Sequence, residues 1–316
     1  MKLHPLFEHL TLGPVTSYAN LSFVPVLGPD AIKDDLLLVD EALRTGYFTV
    51  TDSGQISPLL ADNKLGMKIF VPSGAIVEGR TQNRVTEFPA VIPPRSKGVR
   101  LAVRCAEQGQ PLSAGSHFSS SETIIVASAR SGSVDQRRTW DTISGTITSF
   151  RAHSPTSDYA SAARSTDFVD YLSAIGPPLA GQRGYIAAIG GGHEVCFYAD
   201  IFGSQKLYAP LHRRLWQSVA AVAKSTSRRP GALVEADFSS FLMSAARMEL
   251  VEEPTDPRLA GRVYLGHGST AISALVCEDK LLQVALRRDT TDHEATVRPS
   301  DDTIMFPGRP TSRRAF

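Results

Sequence analysis

No stretch of this sequence comes near the ~20 consecutive apolar residues that a membrane-crossing helix needs, so no membrane span is expected. Its opening residues, MKLHPLFEHLTLGPV, are interrupted by His4, Pro5, Glu8 and His9 and lack the unbroken apolar core of a secretion signal, which makes a cytoplasmic location the expectation. Cysteine is scarce. Cys105, Cys196 and Cys277 are odd in number, far apart and never spaced as C-x-x-C, which argues against a disulfide framework or zinc site and for a reducing compartment. A dominant charge of one sign is also missing, because the formal net charge is only +1, and no nucleic-acid or anionic-membrane partner is expected. The basic pairs Arg137 with Arg138, Arg213 with Arg214 and Arg228 with Arg229 read as solvated helix faces or loops.

Several catalytic and cofactor signatures are absent as well. There is no Gly-Lys dipeptide and hence no phosphate loop of the G-K-[ST] type, no G-x-S-x-G elbow, and no second histidine one helical turn after His193 and Glu194. GHGSTA, residues 266–271, fits a loose dinucleotide pattern. The segment after it, residues 272–277, reads as a strand, whereas pyrophosphate binding needs a helix there. Neither a metal nor another cofactor is expected.

What is present is an ordinary globular composition, 42% hydrophobic and 21% charged, in a chain long enough for one large core or two smaller ones. Residues 21–28, LSFVPVLG, read as a strand. VDEALRTG reads as a short helix with Asp40 as candidate N-cap and Gly46 as its stop. KIFVPSGAIVEG suggests a hairpin turning at Pro72, Ser73 and Gly74. A later strand should carry Leu101, Val103 and Cys105 on one face with Ala102 and Arg104 on the other. A serine-rich loop at 116–121 then leads to a strand in ETIIVASAR, followed by a helix capped by Asp135 with Trp140, Ile143 and Ile147 at helical spacing.

Beyond a boundary near Pro155, residues 157–175 predict one or two helices ended by Gly176. A hairpin in GYIAAIGGGHEVCFYADIF should turn at Gly190, Gly191 and Gly192. Pro210 should open a helix with Leu211, Leu215, Val219 and Val222 buried, and a second amphipathic helix should span residues 237–249. Closing strands turn at Glu278, Asp279 and Lys280. The expected class is therefore α+β, with a mainly β part over residues 1–152 and a mixed part over 153–289 whose helices cover hairpins. A weakly ordered, dispensable tail over 290–316 comes last, with Ile304, Met305 and Phe306 as its main apolar group.

Two segments are chemically dense. In GAIVEGRTQNR, Gln82 and Asn83 bring amides and Arg84 a planar fork suited to phosphate or carboxylate. In RCAEQGQ, Cys105 and Glu107 fall on one side of an extended strand before Gln108 and Gly109 turn the chain. The apolar neighbours of Cys105 favour an inert buried thiol. Equally, Gln82 and Asn83 could serve only a turn, and Arg84 could pair with Glu87 or Glu107.

These segments also carry a resemblance. Gly74, Gly79, Gln82, Asn83 and Arg84, followed by Cys105, Glu107 and Gly109, resemble the coupled motifs of the ADP-ribosylglycohydrolase- and rhodanese-phosphatase-associated protein family. YANLSFVPVL, VDEALRTG, DQRRTW, GQRGYIAAIGG and DIFGSQKLYAPLHRRLW are similar too, and with FLMSAARMEL and STAISALVCEDKLLQVAL the likeness covers about residues 12–288. The chain departs from the family pattern at Ala75 and Ile76, where acidic residues are usual, at Thr81, where lysine is, and at Pro111 and Leu112, where an aromatic is. The resemblance implies a place near NAD and ADP-ribose metabolism. It suggests a nucleotide-like phosphate ligand held by Gln82, Asn83, Arg84 and Gln108, with Glu107 as general base if a hydrolase or transferase reaction is involved. The other reading is a non-enzymatic scaffold or partner-binding protein, and homo-oligomerisation is open in both.

Overall fold

Two mostly apolar runs, Gln182–Ile189 and Cys196–Phe202, buried along their whole length, pair as an antiparallel hairpin and form the centre of a nine-stranded sheet. The computed structural model that shows this describes residues 1–289 except 34, 81, 109, 112, 131–135, 153, 155, 191–193 and 228–230. Thr81, Gly109, Leu112, Asp135, Pro155, Gly191, Gly192, Arg228 with Arg229 and the 290–316 tail therefore lie outside the described residues. Leu21–Leu27 flanks the hairpin on one side, with Thr11–Leu12 and Thr16–Tyr18 beyond it. Lys280–Arg288, Ala271–Cys277, Arg262–Gly266 and Val251–Glu253 follow in order on the other side. The boundary expected near residue 152 falls between the helices Gln136–Ser149 and Tyr159–Ser165, and this sheet draws strands from both sides of it.

Both faces of the sheet are covered, which explains why its central strands read as mostly apolar runs instead of alternating regularly with polar residues. Phe23, Tyr185 and Tyr198 pack on one face against Leu215, Trp216 and Val219 of the helix His212–Ser225. The ring centroids of Tyr185 and Trp216 are 4.4 Å apart. Val24, Ile186, Phe197 and Val284 pack on the opposite face against Phe238, Phe241 and Ala245 of the helix Glu235–Arg247. Among the described residues, no helix is long and apolar enough to cross a membrane.

The first half is mainly β, as expected. Its strands from Leu37 to Ile124 form three small sheets around a core containing Phe48, Val50, Leu59, Ile69, Val99 and Phe118. The turns of this half decide which strands pair, and there the structure corrects several expectations. Ile69–Val71 and Ala75–Gly79 do not form a hairpin. The former pairs with Ala90–Ile92 and Leu37–Leu38, the latter with Arg84–Thr86 and Phe118–Ile124. Gly74, at φ +76°, sends the chain from one sheet to the next, and a Cβ there would meet Cδ of Arg130 at 2.4 Å.

The strand expected around residues 100–105 is two strands, Ser96–Leu101 and Val103–Cys105, in different sheets. They part at Ala102, whose carbonyl accepts the Glu87 N–H at 3.0 Å. The serine-rich segment is strand, not loop: Phe118–Ile124 buries Phe118, Ser121 and Ile124, and residues Ala127–Ala129 form a 3-10 turn. In the helix Val39–Arg44 the N-cap is Leu38, whose N–H is taken by Glu41 at 3.3 Å, so Asp40 lies inside the first turn and is released for other partners. Gly46 and Gly176, at φ +72° and +71°, stand where helix stops were expected.

Candidate functional site

Ala75–Gly79 and Arg84–Thr86 form the hairpin that bears the Gln-Asn-Arg segment, and Val103–Cys105 lies on its other side. The structure thus brings Gln82, Asn83, Arg84, Cys105 and Glu107 together. Gln82 Nε2 donates to the Glu107 carbonyl at 2.8 Å, and the Asn83 N–H donates to Glu107 Oε2 at 3.3 Å. The second carboxylate oxygen of Glu107 accepts the Thr156 hydroxyl at 2.6 Å. Arg84 is 0% exposed, with Nη1 at 2.5 Å from Gln82 Oε1 and Nη2 at 3.5 Å from Asp52 Oδ2. Its donors face inward. Cys105 is also buried, and burial pushes its thiol pKa up, opposed by Arg84 and reinforced by Asp52. Gln108 is exposed, and its N–H donates to the Thr156 carbonyl at 2.8 Å.

Two links carry this network to an open groove beside it. Asn83 Nδ2 donates to Asp158 Oδ1 at 3.0 Å, and the same oxygen caps the helix Tyr159–Ser165 through the N–H groups of Ala160 and Ser161. At Gly79 a Cβ would stand 2.7 Å from Cε1 of Phe118, so the missing side chain lets that ring close over the hairpin. Phe118, Tyr159 and Arg164 all line the groove.

The groove has a volume of about 640 Å³, with the strand Phe118–Ile124 as floor and helices Val39–Arg44, Tyr159–Ser165 and His212–Ser225 around it. Three arginines enter from three helices. Arg44 pairs with Glu122 and Arg164 with Glu78. Arg214 pairs with Asp40, a buried carboxylate that also accepts the Ser120 hydroxyl at 2.5 Å. Arg214 stands in the first turn of its helix, where the dipole disfavours a cation, so Asp40 is what makes that placement tolerable. The Ser121 hydroxyl is buried and has no hydrogen-bond partner among the described residues. Among those residues, no group of three His, Cys, Asp or Glu side chains could hold a metal ion.

None of the groove arginines was singled out as a site by sequence reasoning. Arg44 and Arg164 each end a short helix, where a cation is expected on dipole grounds alone. A readable signal did exist at Asp200, a single charge inside CFYADIF. Its carboxylate takes Arg130 at 2.9 Å and the Tyr185 hydroxyl at 2.5 Å, and Gln283 adds a donor at 3.3 Å, all within the core.

Residues 9–286 match a family model, that of the ARG and Rhodanese-Phosphatase-superfamily-associated Protein domain. No curated protein and no solved structure matches the chain.

Proposed function

The chain belongs to the ARG and Rhodanese-Phosphatase-superfamily-associated Protein family, and on that footing we propose that it binds a small phosphate-bearing ligand of nucleotide type, such as ADP-ribose, in the arginine-lined groove. The observation that carries the proposal is the convergence of Arg44, Arg164 and Arg214 on about 640 Å³ of space floored by serines. Small-molecule sites commonly measure about 300–1,000 Å³. Planar guanidinium forks suit phosphate oxygens, and hydroxyl-bearing walls suit ribose. In this reading Gln82, Asn83, Arg84 and Glu107 hold the groove wall and do not touch the ligand. Both carboxylate oxygens of Glu107 are engaged, so binding and not hydrolysis or transfer is proposed.

Calorimetry and thermal shift with ADP-ribose, NAD and simple phosphate esters test the reading. Arg164→Ala, on a half-exposed residue, should weaken the bound compound about tenfold. If none of these compounds binds, or if Arg164→Ala and Arg214→Ala both leave affinity unchanged, the groove is not the site. The scaffold reading would then lead, supported by how fully the Gln-Asn-Arg network is consumed by internal bonds.

A further inference from the structure

Glu122 stands at φ +54° inside the strand Phe118–Ile124, where pairing with Ala75–Gly79 slips between Ser120 and Ile124. Left-handed backbone is disfavoured for a residue with a Cβ, and a bulge re-aims the side chain it carries. Here the bulge delivers a carboxylate into the groove. Glu122 Oε1 accepts from Arg44, and Oε2 lies 3.9 Å from Nη2 of Arg214. The two arginines belong to helices distant in sequence, so Glu122 is what bridges them.

The two carboxylates on Arg214 differ in kind. The Asp40 side chain is 7% exposed and tied to Ser120, whereas that of Glu122 is 54% exposed and its contact to Arg214 is long. Asp40 is therefore a fixed support and Glu122 an exchangeable occupant.

We infer that the Glu122 carboxylate fills the anion position of the groove and competes with the ligand for it. The inference rests on the groove being the ligand site proposed above. A phosphate or diphosphate group brings more acceptor oxygens than a carboxylate, enough to serve both guanidinium forks. It displaces Glu122 into solvent, where the side chain already half resides. The bulge thereby sets a threshold: weakly charged compounds do not dislodge the carboxylate.

Wild type, Glu122→Gln and Glu122→Gly are titrated with ADP-ribose and with inorganic pyrophosphate by calorimetry. Glutamine keeps the shape without the charge. Glycine removes the side chain and suits the left-handed backbone, so folding is not endangered. Both variants should bind about two- to fivefold more tightly, the range expected from releasing exposed ion pairs. Affinity equal to or below that of wild type in both variants overturns the competitor role and leaves the groove reading standing. No binding by any of the three proteins overturns both.

Discussion

Asn83 Nδ2 donates to Asp158 Oδ1 across 3.0 Å, so a hairpin turn holds the cap of a helix 75 positions further along the chain. That helix supplies Tyr159 and Arg164 to the groove. Asn83→Ala should cost about 1–3 kcal/mol of stability and Asp158→Ala a similar amount. A double-mutant cycle in urea should return a coupling of about 1 kcal/mol. Additive losses would show that the bond contributes nothing.

Arg84→Ala strands Asp52 in the interior, and loss of one member of a buried pair costs about 3–5 kcal/mol. The melting temperature should drop markedly, while the folded protein keeps its ligand affinity. A stable variant with weakened binding would instead put Arg84 in contact with the ligand.

Asp200→Ala should be equally severe, about 3–5 kcal/mol, because it leaves Arg130 uncompensated among Tyr185 and Gln283. Replacing Asp200 and Arg130 together by apolar residues should recover part of the loss. Chemical denaturation of the single and double variants measures it, and a mild effect of Asp200→Ala would be contrary.

His212 gives a pH dependence. Its Nδ1 lies 2.9 Å from the Tyr208 hydroxyl and its Nε2 2.9 Å from the Gly176 carbonyl; burial lowers its pKa, against the raising effect of that carbonyl. The unfolded state therefore takes up the proton first. This contribution to stability is whole above pH ~6.5 and declines as pH falls below it toward the folded value. Melting curves between pH 7.5 and 5 should fall more steeply for wild type than for His212→Gln, and parallel curves would refute the assignment.

Cys105 should resist alkylation at neutral pH in the native protein, since the thiol is both buried and held protonated. Rapid, selective labelling of Cys105, located by peptide mapping, would contradict this.

Legibility in the sequence divides along a physical line. The runs 182–189 and 196–202 announce their strands because both faces are mostly apolar, and the burial of Leu215 and Val219 follows from helical spacing. The turn at Pro72 to Gly74 could not be read correctly, since a turn signal says that the chain reverses and not which sheet receives it. Asp40 has the same difficulty. Its local pattern is a cap, but its partner, Arg214, lies 174 positions away. The Gln-Asn-Arg segment was legible as a cluster, because one hairpin and its neighbour carry all of it. The groove was not, because Arg44 and Arg164 have a sufficient local explanation in the last turns of their helices, and the partner that holds Arg214, Asp40, is far away in sequence.

The place of Leu21–Leu27 in the large sheet governs how the molecule can be assembled. Thr11–Leu12 and Thr16–Tyr18 cover one edge of this strand almost as soon as it is made. Its other edge belongs to Gln182–Ile189, and the Met1 ammonium finds the Leu250 carbonyl 249 positions away. During synthesis the strand must therefore wait, apolar on both faces and open along one side, while the small sheets form ahead of it. Closure by so distant a partner is slow, and an open edge invites pairing with another nascent chain. Yield on refolding should accordingly depend on protein concentration more than the stability of the finished fold would suggest.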